Sequence, residues 1–271
     1  MIQTDCHTHS SFSSDSSTPV EVMIEKAVDL GFDTFYLTDH MDFDFPFNKE
    51  GLTFVFSPSD YFEKLSTLKK TYESKIKIKT GIELGLRTTE SVTKQINQLL
   101  DAYSFDLVIG STHLVENLDP YHSSYWENRS EEEGLTKFFE TTLKNIIAYP
   151  TINVLGHLDY AIRYAPSKGA NFSYVTYRSI IDEILAFIIA HDIALEVNTA
   201  GFKHGLGKPN PGPDIIKRYL QLGGHLLSIG SDGHVPEYYG YRFDETRKLL
   251  HDLGVTHYTT FEDGVIKKRA L

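Results

Sequence analysis

Short apolar runs and amphipathic segments alternate along this chain with few interruptions. The apolar runs have strand length, and the segments between them place apolar residues at helical spacing. The pattern therefore predicts a repeated βα unit. The predicted strands cover residues 2–6, 33–37, 76–82, 105–110, 153–155, 193–197 and 225–229, with a short one near 256–260, and the predicted helices cover 19–30, 57–74, 90–103, 130–148, 174–191, 211–222 and 244–253.

Capping sequences mark two of the predicted helix starts. Thr18 is followed by a proline and, three positions on, by Glu21, which is the order of a side-chain cap, a first-turn proline and a capping-box glutamate. Ser130 and Glu133 have the same capping-box spacing. We therefore expect Thr18 and Ser130 to cap the helices that follow them.

The third predicted strand has an unusual polar face. Its isoleucines alternate with Lys77, Lys79, Gly81 and Glu83, so Glu83 shares a face with the lysines. A packed interior disfavours this arrangement, and we expect an open or irregular barrel to tolerate it better. The phenylalanine-rich segment 41–56 has no period, and we expect it to be a loop folded over the structure.

The βα alternation favours an α/β fold of the barrel type, since parallel βα units close into a barrel or open into a wound sheet. No linker composition interrupts the pattern, so we interpret residues 1–271 as one domain. Polar clusters follow the strands at their carboxyl ends, where barrels build active sites. These clusters are His7/His9, Asp39/His40, Glu83, His113, His157, Glu196 and Asp232/His234.

The histidines at these strand ends suggest metal binding. His7 and His9 point to the same side of the first strand, because side chains alternate with a period of two. Two converging imidazoles can bind one divalent ion. Mixed nitrogen and oxygen ligands suit Zn, Mn or Fe, whereas Mg and Ca prefer oxygen ligands alone.

Composition narrows the function classes. The 271 residues carry a formal charge of −11, which opposes general attraction to nucleic acid. No apolar run reaches membrane-spanning length, and the N-terminus lacks the features of a signal peptide. Cys6 is the single cysteine, which excludes an internal disulfide and makes a cytoplasmic location our expectation. The composition as a whole is typical of an enzyme rather than a scaffold protein, and the negative charge does not exclude a small phosphorylated substrate held by metal ions.

The polar motifs as a set resemble the polymerase and histidinol phosphatase (PHP) superfamily. The resemblance extends from residue 5 to residue 234, and the length of the chain is similar to that of the stand-alone histidinol-phosphate phosphatases of histidine biosynthesis. The motifs that carry it are His7-x-His9, Thr38-Asp39-His40, Glu83, Ser111-Thr112-His113, Gly156-His157 and Ser231-Asp232-x-His234.

The resemblance implies a distorted (β/α)7 barrel that holds two to three divalent metal ions at the carboxyl ends of its strands. All nine positions of the implied ligand set carry the expected residue type. The implied ligands are His7, His9, Glu83 and Asp232 for the first ion, Glu83, His113 and His157 for the second, and Asp15, His40 and His234 for the third.

The same resemblance implies hydrolysis of L-histidinol phosphate by a metal-activated hydroxide. Three divalent ions outweigh three carboxylates, so a phosphomonoester dianion would be attracted. Such ions lower the pKa of bound water, so that hydroxide is available near neutral pH. Attack of this hydroxide on phosphorus requires no covalent enzyme intermediate. Glu83, Asp232, His234 and Arg163 are the implied catalytic residues.

Arg163 follows His157 by six residues and is the first candidate for binding phosphate, because a guanidinium can grip two phosphate oxygens. Family members also place an arginine in this loop and a basic residue after the next strand. Lys203 and His204 are the candidates for that second position, and the sequence does not decide between them.

Acidic or aromatic groups are expected around the ammonium and imidazole of the substrate. Asp42, Glu116 and the aromatic loop 43–56 are near the barrel mouth by topology. The proton donor to the leaving alkoxide remains open among Glu116, His204 and Asp159.

Three further residues near the motifs have structural interpretations. Glu196 ends a strand at the level of the ligands, and we expect it to orient a ligand side chain. We expect Asp39 to anchor a loop or support a ligand, and Cys6 to lie in the core, because it alternates away from His7 and His9.

Other functions remain as alternatives. The nearest is a PHP phosphoesterase that acts on nucleotides, short oligonucleotides or phosphotyrosyl proteins. A structural or proofreading module of a larger assembly is disfavoured because no implied ligand is missing. An amidohydrolase would leave Asp15, His40 and His234 without a role. A small phosphorylated substrate, and neither nucleic acid nor a membrane, is the expected partner.

Overall fold

Seven parallel strands lie side by side around a central axis in a nearly closed barrel, with helices packed on the outside. The computed structural model describes residues 2–46 and 51–271. The strand order is β1-β2-β4-β5-β6-β7-β8, and the short β3 pairs with β4. The strands are β1 (Thr4–Asp5), β2 (Thr34–Leu37), β3 (His40–Met41), β4 (Lys77–Gly85), β5 (Leu107–Ser111), β6 (Val154–Leu155), β7 (Ala194–Asn198), β8 (Leu227–Gly230), β9 (His257–Glu262) and β10 (Val265–Ala270).

Helices connect the barrel strands and bury one face each against them. The α-helices of the described residues are α1 (Val20–Asp29), α2 (Pro58–Thr71), α3 (Glu90–Ala102), α4 (Ser123–Trp126), α5 (Glu131–Ala148), α6 (Arg178–Ala190), α7 (Ala200–Lys203), α8 (Pro213–Gln221) and α9 (Phe243–Asp252). Two short 3₁₀ turns, Tyr160–Tyr164 and Pro236–Tyr238, lie in the loops after β6 and β8. The distorted (β/α)7 barrel predicted for this chain is confirmed.

The barrel closes between β1 and β8. The backbone of Cys6 donates to the carbonyl of Ile229 over 3.0 Å, and that of Asp232 donates to the carbonyl of His7 over 2.8 Å. The buried Asp5 carboxylate accepts hydrogen bonds from the backbone and hydroxyl of Ser231, so a side chain reinforces the closure. This closure brings the ends of the first and last barrel strands together.

The β9–β10 hairpin seals the amino end of the barrel. Phe261 lies in a small apolar cluster inside the barrel with Cys6, and its carbonyl accepts a hydrogen bond from the hydroxyl of the buried Tyr36. Arg269 of β10 donates to the hydroxyls of Thr4 and Thr34, which ties the hairpin to β1 and β2. The short strand expected near 256–260 is present, whereas β10 was missed because its exposed, charged residues show no strand alternation.

The polar face of β4 is accommodated at the two ends of the barrel. Near the amino end, the buried Lys79 amine lies 3.0 Å from Asp106 and 2.8 Å from Glu262 of the hairpin. Near the carboxyl end, Glu83 is fully buried among the polar residues of the mouth. The polar side chains of β4 are thus accommodated by ion pairs, and not by the irregular packing that the alternation of apolar and polar residues predicted.

The two predicted helix caps differ in outcome. Ser130 and Glu133 form the expected reciprocal capping box at the start of α5. At α1 the expectation was wrong, because the hydroxyl of Thr18 donates to the carbonyl of His234 and the helix begins at Val20 without a side-chain cap. Thr18 therefore secures the loop after β8 instead of the helix.

The loop 41–56 folds over the structure in its described part. The Asp42 backbone donates to the carbonyl of Phe54 over 2.8 Å, and Phe56 packs against Phe12 and Tyr61 with ring centroids 5.6 and 4.6 Å apart. Phe47 of this aromatic loop lies outside the described residues. None of the described helices has the length and apolarity required to cross a lipid bilayer.

We predict that Phe261→Ala lowers the free energy of unfolding by about 3–5 kcal/mol, because it removes a buried ring from the interior of the barrel. Urea denaturation followed by circular dichroism measures the loss. Val265→Ala is the matched control, since Val265 lies exposed on the same hairpin. An equal, small loss in both variants would show that the hairpin does not close the core.

Candidate metal centre and active site

The carboxyl ends of the barrel strands bring all nine predicted ligand residues together at one mouth. The loop after β1 carries three of them, and the others lie at or just beyond the ends of later strands. They are His7, His9, Asp15, His40, Glu83, His113, His157, Asp232 and His234. Their convergence follows from the parallel barrel, in which these strand ends share one rim.

The fully buried Glu83 carboxylate is the centre of the cluster. Its Oε1 lies 3.0 Å from His157 Nε2 and 3.3 Å from His113 Nε2, and it accepts a hydrogen bond from the Ser111 hydroxyl over 2.6 Å. Its Oε2 lies 2.8 Å from His40 Nδ1. The same oxygen lies 3.3 and 3.5 Å from the Nε2 atoms of His7 and His9.

Two aspartates complete the cluster on the side of the last barrel strand. Asp232 Oδ1 lies 3.3 Å from His9 Nε2 and 3.6 Å from His234 Nδ1. Asp15 Oδ2 lies 3.2 Å from His234 Nε2 and 3.6 Å from His40 Nε2. These contacts place Asp15 beside the two histidines with which it was predicted to act.

The donor atoms fit divalent metal ions. The Nε2 atoms of His7, His9 and His234 and the Oε2 atom of Glu83 are buried and make no hydrogen bond within the described residues. Unpartnered buried polar atoms are costly unless a ligand satisfies them. Four groups have ligand atoms within 4.8 Å of one another: His7/His9/Asp232, Glu83/His113/His157, His9/His40/His234 and His40/Asp42/His113. The first two lie within the predicted ligand sets, and the last, with Asp42, was not predicted.

The pKa values of the cluster also indicate that its carboxylates require compensating positive charge. Although burial opposes ionisation, the surrounding imidazoles hold the pKa of Glu83 well below its usual range. Burial also opposes protonation of His7 and His113, yet carboxylates hold the pKa of His7 well above its ordinary value and raise that of His113 to about 10. Divalent ions can supply this charge in exchange for the imidazole protons.

Two carboxylates outside the predicted ligand set hold two of the imidazoles in place. Glu196 Oε1 lies 2.6 Å from His7 Nδ1, and its Oε2 accepts a hydrogen bond from the His157 backbone over 2.7 Å. Asp42 Oδ2 lies 2.6 Å from His113 Nδ1. The orienting role predicted for Glu196 is therefore confirmed, and the predicted substrate contact Asp42 is seen to support a histidine while also lining the cavity.

Asp39 anchors the loop after β1, as predicted. It accepts hydrogen bonds from the backbone and hydroxyl groups of Ser10 and Ser13. The Ser13 hydroxyl in turn lies 3.0 Å from His9 Nδ1. A buried carboxylate thus positions His9 through one serine.

Glycines make room for these supporting carboxylates. A Cβ at Gly85 would lie 2.3 Å from the carboxylate of Asp42. A Cβ at Gly230 would lie 2.4 Å from His7 Cβ and 2.6 Å from Glu196 Oε1. Side chains at either position would displace a group that orients a histidine.

Arg163 is buried beside the cluster, in the 3₁₀ turn after β6. Its Nη2 lies 3.6 Å from Asp232 Oδ2, and its guanidinium carbon lies 4.6 and 5.4 Å from the ring centres of Tyr160 and Tyr164. Its Nε and Nη1 are buried and make no hydrogen bond to a described residue. This guanidinium can donate to an anion held against the metal ligands.

Lys203 and His204 lie together at the end of α7, on the surface. The Lys203 amine lies 4.3 Å from the ring centre of Tyr238. The His204 ring lies 5.6 Å from that of Tyr164, and desolvation together with the charges of Arg163 and Lys203 lowers the pKa of His204 to about 4. His204 is therefore a neutral imidazole at pH 7 in this structure.

Two other acidic candidates are occupied elsewhere. Glu116 is exposed and pairs with Lys137 and Arg129 outside the residues that line the cavity. Asp159 is buried and accepts hydrogen bonds from the side chain of Asn210 and the backbone of Gly212. In this conformation, the contacts of Glu116 and of Asp159 are structural.

A cavity of about 290 Å³ opens over the cluster. One part of its wall includes six of the predicted metal ligands, and the other includes Asp119, Tyr121, Tyr160 and Tyr164, which the sequence analysis did not single out. The tyrosines at 160 and 164 follow the His157 motif at a spacing that puts them on one short turn, which is the sequence signal that could have revealed them. Asp119 carries no comparable signal.

Comparison with known proteins decides the family. The PHP domain model matches residues 5–200. This chain belongs to the PHP family. A PHP relative from Clostridium acetobutylicum, named probable histidinol-phosphatase, is 33% identical over 251 residues, which is 92% of each chain. The histidinol-phosphatase of Lactococcus lactis is 29% identical over 99% of this chain and 97% of its own.

A solved PHP structure has the same fold across its whole length. The histidinol phosphate phosphatase of Lactococcus lactis, determined with zinc, L-histidinol and phosphate, matches with a TM-score of 0.88 and 29% identity. The match covers 98% of this chain and 99% of that one. The fold is therefore shared over nearly the whole length of both chains.

We predict that Glu196→Gln weakens zinc binding about 10- to 100-fold, because a neutral amide orients His7 less firmly than a carboxylate does. Competition with a chromogenic chelator measures the affinity, and circular dichroism checks the fold. Glu183→Gln is the control, since Glu183 lies exposed on α6. Equal affinities in the two variants would contradict the assigned role of Glu196.

Proposed function

We propose that this protein is a metal-dependent phosphatase that hydrolyses L-histidinol phosphate to L-histidinol and phosphate, a reaction of histidine biosynthesis. The observation that carries the proposal is the position of Arg163. Its buried guanidinium has two unpartnered donor nitrogens and lies 3.6 Å from Asp232, a predicted metal ligand. A phosphate dianion held beside the predicted metal ligands would accept hydrogen bonds from this arginine.

The proposed ligand sets are those implied by the sequence motifs. Two to three divalent ions, Zn, Fe or Mn, would be held with Glu83 as the bridging carboxylate. The distances of 2.8–3.5 Å from its two oxygens to five imidazoles support this role, since both oxygens face histidines on different sides. We further propose that the barrel and its sealing hairpin act as one PHP-type domain.

When bound, divalent ions supply a hydroxide nucleophile at neutral pH and positive charge over the phosphate oxygens. The chain's own residues would position the ester. Arg163 would donate to non-bridging oxygens, and its stacking on Tyr160 and Tyr164 limits its rotamers. Asp232, which lies 3.6 Å from Arg163, and His234 would orient the attacking water.

The alcohol half of the substrate has room in the same cavity. The Lactococcus lactis relative, with this fold, was solved with L-histidinol and phosphate, and the named relatives are histidinol-phosphatases. Lys203 and His204 would reach the phosphate from the loop after β7. Because His204 is neutral at pH 7 in this structure, its pKa would have to rise on substrate binding before it could donate a proton to the alkoxide.

Phosphate release from a substrate panel tests the proposal. L-histidinol phosphate is compared with p-nitrophenyl phosphate, AMP and a short oligonucleotide, after metal analysis of the same preparation. We expect a kcat/KM for L-histidinol phosphate at least about a hundredfold above the others, and loss of all activity on chelation. Faster turnover of AMP or the oligonucleotide would favour the alternative, a PHP phosphoesterase acting on nucleic acid components.

We predict that Arg163→Lys lowers kcat/KM for L-histidinol phosphate about a hundredfold, because an ammonium cannot replace two directed guanidinium donors. Bound metal should be unchanged by elemental analysis. Arg178→Lys, on the exposed start of α6, is the control. Unaltered kcat/KM in Arg163→Lys would exclude this arginine as the phosphate ligand.

A further inference from the structure

We propose that Asp159 is a positioning residue that holds two loops of the barrel mouth together. One is the 3₁₀ turn after β6, which carries Arg163. The other is the loop 199–212 after β7, which carries Lys203 and His204. This inference rests on the proposed function and deepens it, because these loops carry the groups proposed to bind phosphate. The sequence had left Asp159 open as a proton donor, and its contacts support a different role.

The buried carboxylate of Asp159 is engaged at both oxygens by the second loop. Oδ1 accepts a hydrogen bond from the side-chain amide of Asn210, and Oδ2 accepts one from the backbone N–H of Gly212 over 3.1 Å. The backbone carbonyl of Asp159 accepts from the N–H of Ile162 over 3.0 Å, at the start of the turn. One residue thus belongs to the turn through its backbone and holds the neighbouring loop through its side chain.

Asn210 closes the second loop at its base. It is fully buried, and its backbone pairs with that of Asn198 through two hydrogen bonds of 2.7 and 2.8 Å. The Asn198 side chain donates to Glu196 Oε2 over 3.1 Å, and Oε1 of the same glutamate lies 2.6 Å from His7 Nδ1. Asp159 is therefore one end of a buried hydrogen-bonded chain that reaches a predicted metal ligand.

The rest of the loop packs tightly on Asn210. A Cβ at Gly201 would lie 2.9 Å from Asn210 Oδ1 and 2.3 Å from the carbonyl oxygen of Lys208. Gly201 lies in the short helix α7, which ends at Lys203. A shift of the Asn210 side chain would therefore be transmitted to this helix, because the packing leaves no space to absorb it.

The two loops bring their basic side chains close to each other. The ring centre of Tyr164 lies 5.4 Å from the guanidinium carbon of Arg163 and 5.6 Å from the ring centre of His204. Desolvation and then the charge of Arg163 lower the pKa of His204, which reflects the same proximity. The spacing of the loops therefore determines whether one phosphate can contact groups from both of them.

The location of Asp159 does not suit a proton donor. Its side chain is 1% exposed and is not among the described residues that line the cavity. A general acid must come within hydrogen-bond reach of the leaving oxygen. The carboxylate instead serves the two loops that it joins.

An asparagine at position 159 can make the same two contacts. Its amide oxygen would accept from Gly212, and its amide nitrogen would donate to Asn210 once the Asn210 amide has rotated. Asn210 Oδ1 is free for this, since it is buried and makes no hydrogen bond within the described residues. The conservative variant therefore separates a role in geometry from a role in proton transfer.

The competitive inhibition constant of inorganic phosphate tests the proposal, because it measures phosphate binding without the alcohol. We expect Asp159→Ala to raise this constant about tenfold and to lower kcat/KM for L-histidinol phosphate at least as much, with unchanged zinc content. Asp159→Asn should stay within about threefold of the wild type in both measurements. Loss of a proton donor would instead slow both variants alike and leave phosphate inhibition intact.

A second variant removes the same hydrogen bond from the other loop. Asn210→Ala should raise the inhibition constant about threefold, and the double variant should bind phosphate no more weakly than Asp159→Ala alone, because both changes break one interaction. Asp214→Asn is the control, since Asp214 is an exposed carboxylate in the first turn of α8. Circular dichroism and elemental analysis verify that each variant is folded and loaded with zinc.

Two results would overturn the role of Asp159. One is unchanged phosphate inhibition in folded, zinc-loaded Asp159→Ala, or in Asn210→Ala if the first variant does not fold. The other is an equal loss in Asp159→Ala and Asp159→Asn. Failure of the proposed function would appear separately, as a wild-type enzyme that is inhibited by phosphate but prefers AMP or the oligonucleotide as substrate.

Discussion

A single buried carboxylate, Glu83, organises the mouth of this barrel. An isolated carboxylate in the interior would be strongly destabilising, so the fold must surround it with compensating groups. Five imidazoles and the Ser111 hydroxyl do so within 3.5 Å. Two of those imidazoles, His7 and His113, are fixed in turn by Glu196 and Asp42, whose positions require glycine at the adjacent strand ends. The active-site architecture thus extends outward from one charge in successive layers.

The convergence of the strand-end side chains was predictable because it follows from the repeated βα pattern, whereas the inclusion of Asp15 in the ligand set came from the family resemblance. Metal binding by these residues stays a prediction. Histidines and carboxylates at the ends of successive parallel strands must converge on one rim, whatever the detailed packing. The same reasoning located the helices to within a few residues and predicted the α5 capping box. Glu196 was also recognised as an orienting residue, because its strand position puts it level with the ligands.

Features that depend on loop paths escaped the sequence analysis. Thr18 has every local property of a helix cap but bonds to the carbonyl of His234, a partner more than two hundred positions away. Strand β10 pairs with β9, its immediate neighbour in the chain, but its exposed charged residues gave no sequence pattern that predicts a strand. Asp119 lies in an irregular segment between β5 and α5, and only the folded loop reveals that it faces the cavity beside Tyr160. Tertiary contacts decide such positions, and no periodicity reports them.

The hairpin that seals the amino end of the barrel has a consequence for the order of events in a reaction cycle. Because Phe261 fills the barrel axis at the amino end, ligands enter and leave at the carboxyl ends of the strands. The cluster around Glu83 is buried, whereas Tyr121, which also lines the cavity, is 57% exposed. In the proposed reaction, phosphate held beside the cluster would lie deeper than the alcohol. The alcohol would then leave first and inorganic phosphate last, and phosphate would compete directly with the next substrate molecule.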